Sequence, residues 1–211
     1  MEKFFFNTVN DELLAIINAV CTNNNFNEFA LCGGTALALQ LGHRVSIDAD
    51  FICKEKIDSD YLLKKINETF PNAKDIFTGT YGVFLKQENI KLDFLSWNIA
   101  NQFPIKTINE IRLLDVREIA AMKLFAILQR GEKKDYIDIA ILLQQFELVD
   151  LISFYKLRYN DGDGALVIRF LSSYSDIENQ PMPQMTEQIT WQDCKEIIKS
   201  AIQNFINNNI A

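Results

Sequence analysis

The sequence predicts an α+β fold: a mixed sheet with flanking helices over residues 1–110, followed by a mainly helical region over 111–211. Three observations carry that expectation. Short extended apolar runs crowd the first half, helical periodicity with capping residues dominates the second, and apart from short asparagine clusters no repeat or low-complexity tract interrupts the chain.

Taken in order, DELLAIINAVCT at 11–22 spaces its apolar residues as a helix does. FALC at 29–32 is a short strand, TALALQL one or two helical turns, and DADFIC at 48–53 a second strand. A helix over 58–69 precedes extended segments at 74–79, 81–87 and 89–96, with turn signals at Gly79 and from Gln87 to Asn89. Asp115 with Glu118 reads as a capping box ahead of IAAMKLFAILQR, and Gly131 ends that helix. DYIDIAILLQQF follows, then helices over 149–158, 164–174 and 190–207, the last preceded by the proline-bearing connector SDIENQPMPQMTEQ. YNDGDG at 159–164 is a turn between helices, because Ser172 stands where a calcium loop needs a bidentate glutamate.

Composition narrows the function. With 211 residues, 48% of them hydrophobic, the chain can bury one sizeable core, and a net charge of -7 argues against a protein that coats nucleic acid by bulk electrostatics. The charge is uneven. Between Arg112 and Lys134 the basic residues Arg112, Arg117, Lys123, Arg130, Lys133 and Lys134 face only Asp115, Glu118 and Glu132, a modest basic patch or a solvated helix face. No run reaches the roughly 18 apolar residues of a membrane span, and the N-terminal stretch lacks an apolar run of signal-peptide length, so the cytoplasm is the expected compartment. Four cysteines without C-x-x-C spacing, beside a single histidine, suggest reduced thiols and neither a zinc site nor a disulfide framework.

The stretch GGTALALQLGHRVSIDADF at 33–51 carries the chemistry. Asp48 and Asp50, two apart in a strand, place their carboxylates on one face roughly 7 Å apart, a repulsive arrangement that a divalent ion such as magnesium or manganese relieves. Gly33 and Gly34 allow close backbone approach, and the helix start behind them, with the Thr35 hydroxyl, suits a phosphate. Both ends of the stretch therefore suit a metal-bound nucleoside triphosphate. In NIKLDFLSW the alternation leaves Asp93 opposite the apolar face, a third carboxylate that would complete a two-metal site. Asp138 lies in the apolar run YIDIAILL, where Lys123 would relieve its burial cost; Lys123 and Arg130, seven apart, share a helix face.

Gly-Thr, twelve residues, D-x-D and a later strand aspartate together resemble the signature of the DNA polymerase beta-like nucleotidyltransferase superfamily. More narrowly, GGTALALQLGHRVSIDADF, REIAAMKLFAILQRGEKKDYIDIAIL, IRFLSSYSDIENQPMPQM and TWQDCKEII resemble successive blocks of the AbiEii/AbiGii toxin-type nucleotidyltransferases, from Leu31 to about Ile198. That resemblance implies Asp48, Asp50 and Asp93 as catalytic metal ligands and Gly34 and Thr35 as the triphosphate cradle. It implies Lys123 as a phosphate contact and Asp138 as the aspartate of the last motif. Arg44 reads as a phosphate or loop brace, Ser46 as fixing the loop, and His43 as structural.

The reading is a nucleotidyltransferase, using Mg2+ or Mn2+ and an NTP, that moves an NMP to an acceptor hydroxyl. The resemblance implies an RNA acceptor such as a tRNA 3′ end, and a toxin role with a partner antitoxin. A protein acceptor and a non-catalytic NTP-binding module are the alternatives.

Overall fold

A computed structural model describes residues 4–97, 99–160 and 162–209. The chain divides into two compact units at Asp115/Val116. The division lies beyond residue 110 because two short strands over 106–108 and 111–113 join the first unit's sheet.

In the first unit, α1 (Asp11–Cys21) begins at Asn10, whose side chain accepts from the Leu13 N–H at 2.8 Å. β1 (Ala30–Cys32) runs directly into α2 (Gly33–Leu41); β2 (Ala49–Cys53), α3 (Ser59–Thr69), β3 (Lys74–Gly79), β4 (Gly82–Gln87) and β5 (Ile90–Ser96) follow. β6 (Lys106–Ile108) and β7 (Ile111–Leu113) complete a mixed sheet in the order β3-β4-β5-β2-β1-β7-β6. β2 and β5 are parallel; β1 is antiparallel to β2 and parallel to β7.

Alternation explains the core. On β5, Ile90, Leu92 and Phe94 are buried on one face, and Phe94 stacks on Phe26 and Phe51 at 5.1 and 5.7 Å between centroids, with Phe29 edge-on at 5.3 Å. The intervening Lys91 and Asp93 project from the opposite face. Arg112 on β7 turns inward and donates to the carbonyls of Phe29 (3.1 Å), Phe26 (2.8 Å) and Cys21, the last at the end of α1.

The second unit comprises α4 (Val116–Gln129), α5 (Lys133–Leu142), α6 (Leu148–Arg158), α7 (Gly164–Leu171) and α8 (Trp191–Asn209). Gly131, at φ 56°, makes the left-handed stop after α4. α4 packs on α5 and α6, and α8 on α5. Asp163 caps α7 by accepting from the Ala165 and Leu166 N–H groups, which makes the 159–164 segment an interhelical turn; Asp161 within it lies outside the described residues. The connector before α8 is pinned from both sides. The Lys133 ammonium donates to the carbonyls of Glu178 and Gln180, while Trp191 and Lys195 each donate to the Glu178 carboxylate at 3.0 Å.

The basic patch read from the sequence does not survive folding as a patch. Arg112 is spent on backbone carbonyls, and Lys123 and Lys133 are each only 5% exposed. Among the described residues no helix is long and apolar enough to cross a membrane, and all four cysteines are free thiols and buried.

Candidate active site

Strand register assembles the site. Cys32 on β1 pairs with Asp50 on β2, and Asp50 pairs with Asp93 on β5, so one row across the sheet carries two carboxylates next to the residue at which α2 starts. Parallel neighbours lie about 4.8 Å apart, which makes Asp50 and Asp93 immediate neighbours. Asp48 precedes the strand by one residue: β2 begins at Ala49, so the D-x-D pair sits at a loop-to-strand junction and not within a strand, as the sequence had suggested.

The Gly33-Gly34 turn is shaped around these acids. Gly33 has φ 66°, and a Cβ there would lie 2.6 Å from Asp50 Oδ2; a Cβ on Gly34 would collide with the Arg44 guanidinium. Gly33 is favoured by its left-handed backbone, and a side chain at either position would displace a charged group, the Asp50 carboxylate or the Arg44 guanidinium. Arg44 is buried and donates to the Val45 carbonyl at 3.2 Å, bracing the turn from beneath. Thr35 is 1% exposed; its hydroxyl hydrogen-bonds with that of Ser46 at 2.8 Å and donates to the Asp48 carbonyl. Ser46 is tied in turn by its N–H to the Thr8 carbonyl at 2.8 Å. Thr35 and Ser46 thus clamp the backbone that presents Asp48. His43 is buried.

The sequence reading passed over one participant. Lys91 shares the Asp93 face of β5, and its ammonium lies 2.7 Å from Asp93 Oδ2, its side chain half exposed. Burial lowers the Lys91 pKa, but the hydrogen bond and charge of Asp93 and the charges of Asp50 and Asp48 outweigh it and hold the ammonium above its ordinary range. Burial also raises the Asp93 carboxyl; Lys91 offsets part of that rise and the Asp48 charge adds to it. The K-x-D spacing on an alternating strand was the signal that could have revealed this pair.

Among the described residues, no three His, Cys, Asp or Glu side chains stand together as a ready metal-binding set. Lys91 supplies a cation to these carboxylates through Asp93. The donors nonetheless fit a hard divalent ion: Asp93 Oδ1 is buried without a hydrogen-bond partner, and the Asp50 carboxylate faces the space that a Gly33 side chain would fill. The charges of Asp48, Asp50 and Asp93 all reach the same ammonium.

Lys123 and Asp138 belong to the second unit. The Lys123 ammonium lies 2.6 Å from Asp138 and 2.9 Å from Asp135, both aspartates fully buried, and Arg130 reaches the other Asp135 oxygen at 3.3 Å. The partner expected for Asp138 is present, and Lys123 and Arg130 converge on Asp135 as their spacing on α4 allows.

Solved structures share this fold. JHP933 from Helicobacter pylori matches with a TM-score of 0.57 at 20% identity, over 93% of this chain and 89% of that one. MenT4, a nucleotidyltransferase toxin from Mycobacterium tuberculosis H37Rv, matches with a TM-score of 0.58 at 13% identity, over 90% and 80%. An uncharacterized protein of Aquifex aeolicus (strain VF5), aq_aa25, is 25% identical over 187 residues, 86% of this chain and 90% of its own. The chain belongs to the family described as nucleotidyl transferase AbiEii toxin, type IV toxin-antitoxin system, which matches residues 16–107 and 97–204. It is a nucleotidyltransferase.

Proposed function

We propose that the protein transfers an NMP from a magnesium-bound NTP to the 3′ hydroxyl of an RNA, tRNA-like in kind, and acts as the toxin of a toxin-antitoxin pair. The register of Asp50 with Asp93 beside the Gly33-Gly34 turn supports this reading most directly. Asp48, Asp50 and Asp93 would hold the divalent ion, which supplies charge neutralisation at the attacking and leaving oxygens. The Gly33-Gly34 backbone and the start of α2 offer N–H groups to the triphosphate, while Thr35, Ser46 and Arg44 keep that turn and Asp48 in place. Lys123 as a phosphate contact and Asp138 as the last-motif aspartate rest on the family likeness alone, since the two pair with each other within the second unit. The acceptor oxygen attacks the α-phosphorus in line and pyrophosphate leaves. Positioning carries the reaction without a covalent enzyme intermediate.

RNA as acceptor rests on the family likeness. With Arg112, Lys123 and Lys133 turned to internal partners, the basic run lends it no support. The test is incubation with magnesium, each α-labelled NTP separately and total cellular RNA, with RNA and protein gels run beside Asp48→Ala. Asp48-dependent label on RNA is the expected result; label on protein bands alone would replace the RNA acceptor with a protein one, and no label would contradict the transfer.

A further inference from the structure

Lys91 brings a cation to the carboxylates of Asp48, Asp50 and Asp93. Its ammonium is bonded to Asp93 Oδ2 at 2.7 Å, it feels the charges of Asp48 and Asp50, and the remaining Asp93 oxygen is buried with no hydrogen-bond partner. A divalent ion entering this cluster must compete with that ammonium for Asp93. The Lys91 side chain is 54% exposed, so the displaced ammonium is free to leave the carboxylate, and the strongest anion brought to the site with the metal is the triphosphate.

We infer that Lys91 couples metal binding to NTP binding, by occupying Asp93 in the free enzyme and yielding it when a triphosphate arrives to take the ammonium. The inference rests on Asp48, Asp50 and Asp93 as the metal-binding set. Its consequence is that the free enzyme holds a divalent ion weakly and the NTP-loaded enzyme holds it tightly. An enzyme without the Lys91 charge loses that difference.

The experiment measures Mn2+ affinity of the full chain from the free-Mn2+ electron paramagnetic resonance signal, with and without an NTP analogue whose α–β bond cannot be cleaved. Wild type, Lys91→Met, Lys91→Gln, Lys91→Arg and the exposed-surface control Lys199→Met are compared. Removing one adjacent unit charge should tighten Mn2+ binding to the free Met and Gln variants by about tenfold or more, and the analogue should then add little. Lys91→Arg, which keeps the charge, should retain the wild-type coupling, and Lys199→Met should behave as wild type. Melting curves in chelator provide a second readout: the Met and Gln variants should melt below wild type and recover with Mn2+. Unchanged Mn2+ affinity in both variants, or coupling that persists in them, overturns the inference while leaving the metal site standing. Absence of Mn2+ binding by every variant, with or without the analogue, overturns the metal site and the inference together.

Discussion

Asp50 and Asp93 are register partners on the adjacent parallel strands β2 and β5, and Asp93 carries the Lys91 ammonium on one of its oxygens. Asp93 is buried with an unpartnered oxygen, so its ionised form is costly to the fold. Asp93→Asn removes that cost and forfeits a half-exposed ion pair worth about 1 kcal/mol or less. The variant should melt at or above the wild-type temperature in chelator. A stability curve from urea denaturation checks this.

Gly33→Ala combines a left-handed backbone with a Cβ set against the Asp50 carboxylate. Strain of this kind costs about 1–3 kcal/mol, and Asp50 must move. Denaturation should show the stability loss, and transfer should fall further than stability alone explains.

Lys123 is held between two fully buried aspartates. Lys123→Met strands those charges and should destabilise the protein by about 3 kcal/mol or more. Adding Asp138→Asn should recover part of that loss, which a double-mutant cycle in urea would measure as a coupling energy. Lost activity in Lys123 variants therefore has a structural component, which the Asp48 variants should lack.

Tyr136 donates to the Phe170 carbonyl at 3.0 Å and meets Tyr174 and Trp191 edge-on. Burial pushes both Tyr136 and Tyr174 up to about 12 from the ordinary 10. Because these phenols titrate higher in the folded state, the stability they contribute is present below pH 10 and is lost as pH rises from 10 to about 12. Tyrosinate absorbance from these two should appear together with loss of helical circular dichroism.

Much of this was legible in the sequence because the pattern and the physics agreed. The alternation in NIKLDFLSW put Phe94 in the core and Asp93 on the other face, and the glycines at 33 and 34 marked a turn packed closely against Asp50 and Arg44. The β6–β7 hairpin was invisible because Asn109 and Glu110 both adopt positive φ, 48° and 65°, without the glycine that advertises such a turn. The basic run misled for a different reason. Counting charges cannot reveal that Arg112 caps backbone carbonyls or that Lys133 binds the connector. Thr35 reads as a phosphate donor by position, yet its hydroxyl is engaged in holding the Asp48 backbone.

Whether the acids of β2 and β5 carry nucleotidyl transfer is decided by the initial rate of α-labelled NMP incorporation for Asp50→Asn and Asp93→Asn beside wild type, each shown to be folded by its melting curve. Both folded variants should lose transfer by about 10²–10³-fold or more. A folded variant of either residue that transfers at the wild-type rate would contradict that role.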